Sequence, residues 1–364
     1  MYLYREYNLS MKMVTQPKTD LLALLAQDFS FKGETSHPMH NTHAFAAKFP
    51  PQLPRVFIES LTKPGDIVLD PMCGSGTTVV EASHLGRIGI GIDMDILAVK
   101  VSQAKTCALG PPLVRHTINQ VVDHATFNYR ARTLDIRSFL KENYGPKVIS
   151  FFQYWFRKET IEQLACVAKE IKRLTNPAIR NFCEVVFSSI IVTKSGGISL
   201  ARDLAHSRPH KDGSKKVKNA IESYAEKAEK ILAAMDKARG VSGRAVMLRG
   251  DARSLPLAKN SVDLIVTSPP YANAIDYMRA HKFSMYWLGL DYDYLSNLRK
   301  RYIGAEVKLD LQEFPHRLAS EVIRKVSGKD IRKAGILLRY FQDMEMASKP
   351  ALTRNMSYFY ISLL

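Results

Sequence analysis

The chain has 364 residues, of which 46% are apolar and 24% charged, and this balance excludes wholesale disorder and low-complexity or collagen-like classes. Lys and Arg number 52 against 35 Asp and Glu, which leaves a formal net charge of +17. Such an excess favours a polyanionic partner, either nucleic acid or an anionic membrane surface, although some proteins are simply basic.

The chain has four cysteines and no CxxC pair, so we expect neither a zinc ribbon nor a disulfide framework. It also has no apolar stretch of about 18 residues, and its N-terminus does not resemble a signal peptide. These features predict a cytoplasmic protein that does not span a membrane.

Residues 1–44 form a mixed lead-in to the first regular elements. Leucines between Asp20 and Asp28 predict a short helix. The spacing of His37, His40 and His43 is compatible with a metal site, but a proline interrupts the run and no acid or thiol lies nearby in sequence. We therefore expect no metal site here.

A βαβ unit follows the lead-in. Apolar spacing predicts a helix over Pro50–Thr62, a buried strand over Ile67–Leu69, a helix over Val79–Leu85 and a second strand over Ile88–Ile92 that ends at Asp93. Such a unit predicts a parallel sheet with a right-handed crossover.

From residue 114 to residue 244 the pattern is mostly helical and basic. The predicted helices are Arg157–Leu174, Asn181–Thr193 and Lys216–Ala238, and an exposed loop is predicted over Lys194–Ser214. After this region, strands are predicted at Ala245–Leu248, Val262–Val266 and Ser357–Leu363. We divide the chain into a lead-in (1–44), a cofactor-binding half (45–113), a helical insertion (114–244) that is the candidate DNA-recognition region, and a catalytic half (245–364).

The run VLDPMCGSGTTVVEA joins the first strand to its helix through a glycine-rich turn. Gly74 and Gly76 allow a tight turn and close approach of a ligand, and Asp93 is positioned to accept hydrogen bonds from ribose hydroxyls. The turn lacks the Gly-Lys-Ser/Thr of a triphosphate site, and Asp70 would repel a pyrophosphate. A cofactor with a ribose, a cationic amino-acid part and no phosphate fits better, and S-adenosylmethionine is such a cofactor.

A second motif, TSPPY, ends a strongly apolar strand. Pro269 and Pro270 cannot continue a sheet ladder, so the backbone is rigid where Ser268 supplies a hydroxyl and Tyr271 a flat aromatic face. These groups suit a planar base with an exocyclic amine, which would donate to Ser268 and the Pro269 carbonyl and stack on Tyr271. Asp251, after the preceding strand, is a candidate partner of an adenine amino group.

Together DPMCGSGTT and TSPPY resemble the motifs of S-adenosylmethionine-dependent DNA amino-methyltransferases, and AFAAKFPPQLPRVFI resembles the cofactor-side segment of that family. The resemblance implies a doubly wound, Rossmann-like α/β sheet with a helical insertion, and it implies no metal. Within the family, a Ser-Pro-Pro-Tyr motif is typical of N4-cytosine enzymes. The cofactor-binding candidates are Lys48, Phe49, Pro50, Asp70, Pro71, Gly74, Gly76, Thr77, Asp93 and Asp251. The catalytic candidates are Ser268, Pro269, Pro270 and Tyr271.

DNA is the expected partner, and a cognate restriction endonuclease is a candidate partner in a restriction-modification system. The densest basic stretch supplies the candidates for phosphate contacts, which are Arg202, Arg208, Lys211, Lys215 and Lys216. The alternatives are an N6-adenine DNA methyltransferase, a tRNA guanine-N2 methyltransferase, whose glycine loop is similar, and a truncated, non-catalytic DNA-binding subunit. The last follows from the expectation that the C-terminal strands of the sheet are cut short.

Overall fold

A computed structural model describes residues 24, 31, 37–48, 50–193, 197–202, 209–238, 243–272, 276–305, 312 and 314–348, and the backbone of residues 357–360. The short helix predicted over Asp20–Asp28 therefore lies outside the described residues, apart from Leu24. None of the described helices combines the length and the apolar character needed to cross a bilayer.

The centre of the molecule is a five-stranded sheet in which every pair of neighbours is parallel. The strands of this sheet are β1 (Ile67–Asp70), β2 (Ile88–Asp93), β5 (Arg244–Arg249), β6 (Leu264–Thr267) and β7 (Ser357–Tyr360). Two short strands between β2 and β5 in the chain, β3 (Ala201–Arg202) and β4 (His210–Lys211), form a separate antiparallel pair. Their spatial order is β5-β2-β1-β6-β7, which is an open, doubly wound α/β arrangement. The predicted Rossmann-like fold is thus confirmed, including the strand predicted over Ser357–Leu363, of which residues 361–363 lie outside the described residues.

Helices cover most of the remaining described chain. They are α1 (Gln52–Leu61), α2 (Thr77–His84), α3 (Ile96–Lys105), α4 (Pro111–Arg130), α5 (Ile136–Asn143), α6 (Pro146–Trp155), α7 (Lys158–Arg173), α8 (Pro177–Ile191), α9 (Ala220–Lys237), α10 (Tyr277–Met285), α11 (Tyr292–Arg301), α12 (Arg317–Ser327) and α13 (Ile331–Ser348). The predicted helices are present with ends shifted by a few residues. The shift at α8 arises because Pro177 is the first helical residue and the Asn176 side chain accepts from the backbone N–H groups of Ala178 and Ile179.

The helical insertion shares one hydrophobic core with the helices after the second motif. Trp287 is buried and stacks on Phe152 of α6 with ring centroids 4.0 Å apart. Phe187 of α8 and Tyr144 pack edge-on against the same indole. Residues of the region 114–244 are therefore packed through aromatic contacts against the segment that follows the TSPPY motif.

The segment Lys194–Ser214 was predicted to be an exposed loop, and that prediction is wrong for part of its length. Ile198, Leu200 and Ala201 are buried, and β3 pairs with β4 in register Ala201↔Lys211. The reason is that this segment carries apolar side chains that are buried in the core formed by the helices. The backbone N–H of Ile198 also donates to the carbonyl of Ile190 in α8, which holds the segment against that helix.

The turn that joins β1 to α2 depends on glycine at position 76. Gly76 has φ +80° and caps α2, and a Cβ at that position would lie 2.6 Å from Ser102 Oγ and 2.8 Å from Ser102 Cβ. Such an approach is impossible without movement of α3, and the left-handed conformation adds strain for any other residue.

We predict that Gly76→Ala lowers the free energy of unfolding by about 2–4 kcal/mol, since left-handed strain and overpacking add. Gly213→Ala is the matched control, because a Cβ there meets nothing within 4 Å. Urea denaturation of both variants checks this, and equal stabilities would contradict the packing argument.

Candidate active site

A cleft opens at the carboxyl edge of the sheet, where the segments after β1, β2, β5 and β6 meet. Residues predicted from both motifs line it, namely Lys48, Pro71, Gly74, Thr77, Asp93, Asp251, Ser268 and Pro270. Five other predicted residues are described but do not line the cleft, namely Pro50, Asp70, Gly76, Pro269 and Tyr271, and Phe49 lies outside the described residues. The structure thus brings residues nearly 200 positions apart in sequence into one site.

The glycine loop is held by backbone hydrogen bonds to the neighbouring strand. Gly74 has φ +49° and donates its N–H to Asp93 Oδ2 at 2.7 Å, while Cys73 donates its N–H to the carbonyl of Ile92 at 3.0 Å. A Cβ on Gly74 would lie 3.2 Å from the Phe45 ring. The loop backbone is therefore exposed to the cleft with no side chain at that point.

Asp93 ends β2 and faces the cleft with both oxygens already held in place. Its Oδ1 accepts from the backbone N–H of Asp95 at 2.8 Å, in addition to the bond from Gly74. Loss of hydration, and then the negative charge of Asp95, raise the pKa of the Asp93 carboxyl to about 7. Each carboxylate oxygen keeps a lone pair for a further donor.

Asp70, a predicted cofactor-binding residue, does not line the cleft. It is buried, and its Oδ1 accepts from Thr267 Oγ1 at 2.7 Å and from the backbone N–H of Met72 at 3.2 Å. Burial raises the pKa of this carboxyl to about 6. Asp70 therefore joins the end of β1 to the end of β6 through Oδ1, while its Oδ2 is buried without a hydrogen-bond partner among the described residues.

Asp251 lines the cleft, but its carboxylate is already paired. Arg253 Nε lies 2.9 Å from Asp251 Oδ1, and Arg253 Nη2 lies 2.7 Å from Oδ2. Burial alone would raise the pKa of Asp251, but the donors of Arg253 outweigh burial and hold it below its usual value. The same guanidinium reaches Asp343 of α13 at 2.7 Å, so this edge of the cleft is linked to a later helix.

Sequence reasoning missed several cleft residues. Phe45 and Tyr277 line the cleft with their rings in contact, at a centroid distance of 5.5 Å, and Asp95 also lines it. His281 Nδ1 lies 2.7 Å from Asp95 Oδ2, and both side chains are buried. A cap signal could have identified Asp95, since its side chain accepts from the N–H groups of Leu97 and Ala98 at the start of α3, but nothing in the sequence pairs it with His281.

The basic candidates for phosphate contact have different environments. Lys215 is only 8% exposed and donates to the carbonyls of Ser199 and Ala201, and burial lowers its pKa to about 8, so its predicted role at DNA phosphates is not supported by its position. Arg202 pairs with Asp212 at 2.9 Å, and Lys211 lies 4.3 Å from the centroid of the Tyr154 ring. Lys216 is exposed, and Arg208 lies outside the described residues.

Within the described ranges no group of three or more His, Cys, Asp or Glu side chains is arranged to hold a metal ion. Of the histidines in the lead-in, His40 Nε2 lies 2.7 Å from Glu81 Oε1 of α2, and His43 Nε2 lies 2.9 Å from Ser188 Oγ. These histidines pack the lead-in against the helices.

Comparison with known proteins gives a match of residues 11–104 to the family model described as DNA methylase. The chain is 25% identical to the type II methyltransferase M.MvaI of Kocuria varians over 86% of this chain and 74% of that protein. It is 22% identical to M.BsoBI of Geobacillus stearothermophilus over 83% of this chain and 65% of that protein. A shorter match, 36% identical over 81 residues, covers 15% of M.MjaII of Methanocaldococcus jannaschii.

Through residues 11–104 and through these type II methyltransferases, the chain is similar to the DNA amino-methyltransferase family. Among solved structures, an rRNA methyltransferase, aviRa of Streptomyces viridochromogenes, aligns over 81% of this chain and 87% of that chain with 14% identity and a TM-score of 0.27.

The residues of the cleft fit the cofactor that similarity to the amino-methyltransferase family implies, S-adenosylmethionine. Asp93 offers acceptor lone pairs to neutral hydroxyls, and Gly74 leaves room that a side chain would fill. The Ser75 hydroxyl is buried and has no hydrogen-bond partner among the described residues. An acidic cleft wall of this kind suits a cationic, phosphate-free ligand.

The buried pair of Asp95 and His281 gives a stability prediction. His281→Ala would leave the Asp95 carboxylate buried without its partner, so we expect a loss of about 2–5 kcal/mol in the free energy of unfolding. His116→Ala, at an exposed position of α4, is the control and should change stability little. Chemical denaturation of the two variants checks this, and equal losses would mean that the pair contributes nothing.

Proposed function

We propose that this chain transfers a methyl group from S-adenosylmethionine to the exocyclic amine of a base in DNA, with N4 of cytosine as the favoured target. One observation carries the proposal. Ser268 and Pro270, which follow β6, line the same cleft as Gly74, which follows β1, and Asp93, which ends β2. A methyl acceptor at the first pair would lie beside a cofactor held by the second.

In this proposal the cofactor-side residues bind and orient. Asp93 accepts from the ribose hydroxyls, while Gly74 and Thr77 let the backbone of the loop approach the ligand, and Lys48 lies at the methionine end. Lys48 Nζ donates to the carbonyl of His40 at 2.7 Å, which holds its ammonium at the wall of the cleft. When bound, S-adenosylmethionine supplies a methyl group made electrophilic by the sulfonium.

The catalytic residues of the proposal act on the base. The Ser268 hydroxyl and the Pro269 carbonyl accept hydrogen bonds from the exocyclic NH2, which directs the nitrogen lone pair toward the methyl group. Tyr271, which is half-buried, contributes a stacking face. Since a paired base hides its amine inside the duplex, the base must first flip out at a cost of a few kcal/mol.

The choice of cytosine rests on position 268. Serine there offers a neutral hydroxyl, and the resemblance to N4-cytosine enzymes favours the same base. N6-adenine remains the alternative, and both chemistries use the same arrangement of acceptor and aromatic face. DNA is the proposed substrate, and a cognate endonuclease is a proposed partner, since the relatives above are named type II methyltransferases.

The proposal is tested by incubating the full chain with methyl-labelled S-adenosylmethionine and either duplex DNA or tRNA, followed by mass spectrometry of the nucleosides. We expect N4-methylcytosine in DNA. N6-methyladenine would change the base but leave the enzyme class standing. Label in tRNA alone, or cofactor binding without any transfer, would overturn the proposal.

We predict that Ser268→Ala lowers kcat about 10–100-fold while the affinity for S-adenosylmethionine stays within about twofold, because the lost acceptor contacts the base and not the cofactor. Ser261→Ala is the control, since that hydroxyl donates to the Ala258 carbonyl in the turn before β6. Steady-state kinetics and calorimetry separate the two effects. A large loss of cofactor affinity in Ser268→Ala would assign the hydroxyl to the cofactor.

Cofactor affinity should also depend on pH through Asp93. Ribose hydroxyls bind the ionised carboxylate better, and its pKa is raised to about 7, so protonation competes with binding as the pH falls below that value. We expect the affinity for S-adenosylmethionine to decrease as the pH falls below 7, by a factor that approaches about ten for each pH unit. Calorimetry between pH 8 and pH 5.5 measures it.

Asp93→Asn should bind more weakly and show a much flatter pH profile. Asp123→Asn, at an exposed position of α4, should keep the parent profile. A parent whose affinity is constant across this range would exclude Asp93 as the titrating acceptor.

A further inference from the structure

Helices α12 and α13 form a hairpin with a small hydrophobic core of its own. Phe314, Ile323, Ala334 and Leu338 are buried together, separately from the cores beneath the sheet. The hairpin lies in the connection between β6, which carries the TSPPY motif, and β7. It is therefore an independently packed element inserted at the catalytic side of the sheet.

The base of this hairpin is attached to the edge of the cleft. Asp343 of α13 accepts a hydrogen bond from Arg253 Nη1 at 2.7 Å. The same guanidinium also donates to Asp251, which lines the cleft. Arg253 Nη2 also donates to the carbonyl of Arg301 at 2.9 Å, and Arg339 Nη2 donates to the carbonyl of Lys300 at 2.8 Å. These charge-assisted bonds fix one end of the hairpin beside the cofactor cleft.

The other end of the hairpin carries a cluster of exposed cations, which we call the basic tip. Its residues are Arg324, Lys325, Lys329, Arg332 and Lys333. Among the residues that the structure describes, Lys333 lies 3.8 Å from Asp330, and no ion pair involves the other four. Like charges clustered on one surface repel one another, and a polyanion bound there would neutralise them.

The distance from base to tip matches the dimensions of DNA. Arg332 and Asp343 are eleven residues apart in one helix, which corresponds to about 16 Å along its axis. At 3.4 Å per nucleotide step, that is roughly five base pairs. A duplex that has one base in the cleft and runs along α13 would have its phosphates several pairs away within reach of the tip.

We propose that the basic tip binds the phosphate backbone of the DNA that flanks the target base, so that the α12–α13 hairpin is a DNA-binding surface of this chain. This inference rests on the proposed function. Arg253 then acts as the link between this surface and the cleft, because it holds both Asp343 and Asp251. Phosphate contacts of this kind set the register of a duplex without reading its sequence.

The test is a quadruple variant, Arg324→Gln, Lys325→Gln, Lys329→Gln and Arg332→Gln, in the full chain. Affinity for a duplex that the parent methylates is measured as a function of salt. We expect the slope of log K against log salt to decrease by about 2–4, and affinity to fall at least about tenfold. Affinity for S-adenosylmethionine should be unchanged, which also shows that the variant is folded.

A competing variant neutralises four exposed cations of residues 114–244, the region that the sequence analysis names as the candidate for DNA recognition, by Arg130→Gln, Arg132→Gln, Arg137→Gln and Lys141→Gln. If the duplex lies on the basic tip and not on these four cations, this variant keeps the parent slope. A changed slope in this variant together with an unchanged slope in the tip variant would place DNA on the insertion and overturn the inference.

Two further outcomes separate this inference from the proposed function. A parent that methylates DNA and a tip variant with the same salt slope would overturn the role of the tip alone. A parent that neither binds nor methylates DNA would overturn both. The double variant Arg324→Gln and Lys325→Gln repeats the test with less change, and we expect about half of the decrease in slope.

Discussion

The site depends on the parallel pairing of β1 with β6. Leu69 pairs with Ile265, so the two strands end side by side, and Asp70 at the end of one accepts a hydrogen bond from Thr267 at the end of the other. Thr78, in the first turn of α2, donates to the carbonyl of Val266 at 3.2 Å. The glycine loop and the TSPPY segment are therefore held together by buried hydrogen bonds, and neither can shift without breaking one.

Buried carboxylates around this pairing set the electrostatics of the cleft. Desolvation raises the pKa values of Asp70 and Asp93, and Asp95 is held ionised by its contact with His281. A cationic ligand entering the cleft relieves the repulsion between Asp93 and Asp95, whereas a phosphate would increase it. The same arrangement that destabilises the free carboxylates thus favours the sulfonium cofactor that the family implies.

Much of the cofactor side could be predicted from sequence because its determinants are local. A strand, two glycines and a following helix fix the loop, and Asp93 follows from its place at the end of the next strand. Asp70 was assigned to the ligand because it adjoins the loop, but its actual partner, Thr267, is 197 positions away. Lys215 was assigned to DNA because lysine is usually exposed, whereas the fold of its segment turns the ammonium inward onto two carbonyl groups.

The sequence by itself determined the parallel sheet, the glycine loop and the rigid turn after β6, since each follows from periodicity, glycine and proline over a few neighbouring residues. Only the tertiary structure decided which carboxylate faces the cleft, that Phe45 and Tyr277 share it, that His281 partners Asp95, and that α13 reaches the cleft through Arg253. Those contacts join residues far apart in the chain. Local preferences carry no information about them, because strand order and helix packing alone bring such side chains within hydrogen-bonding distance.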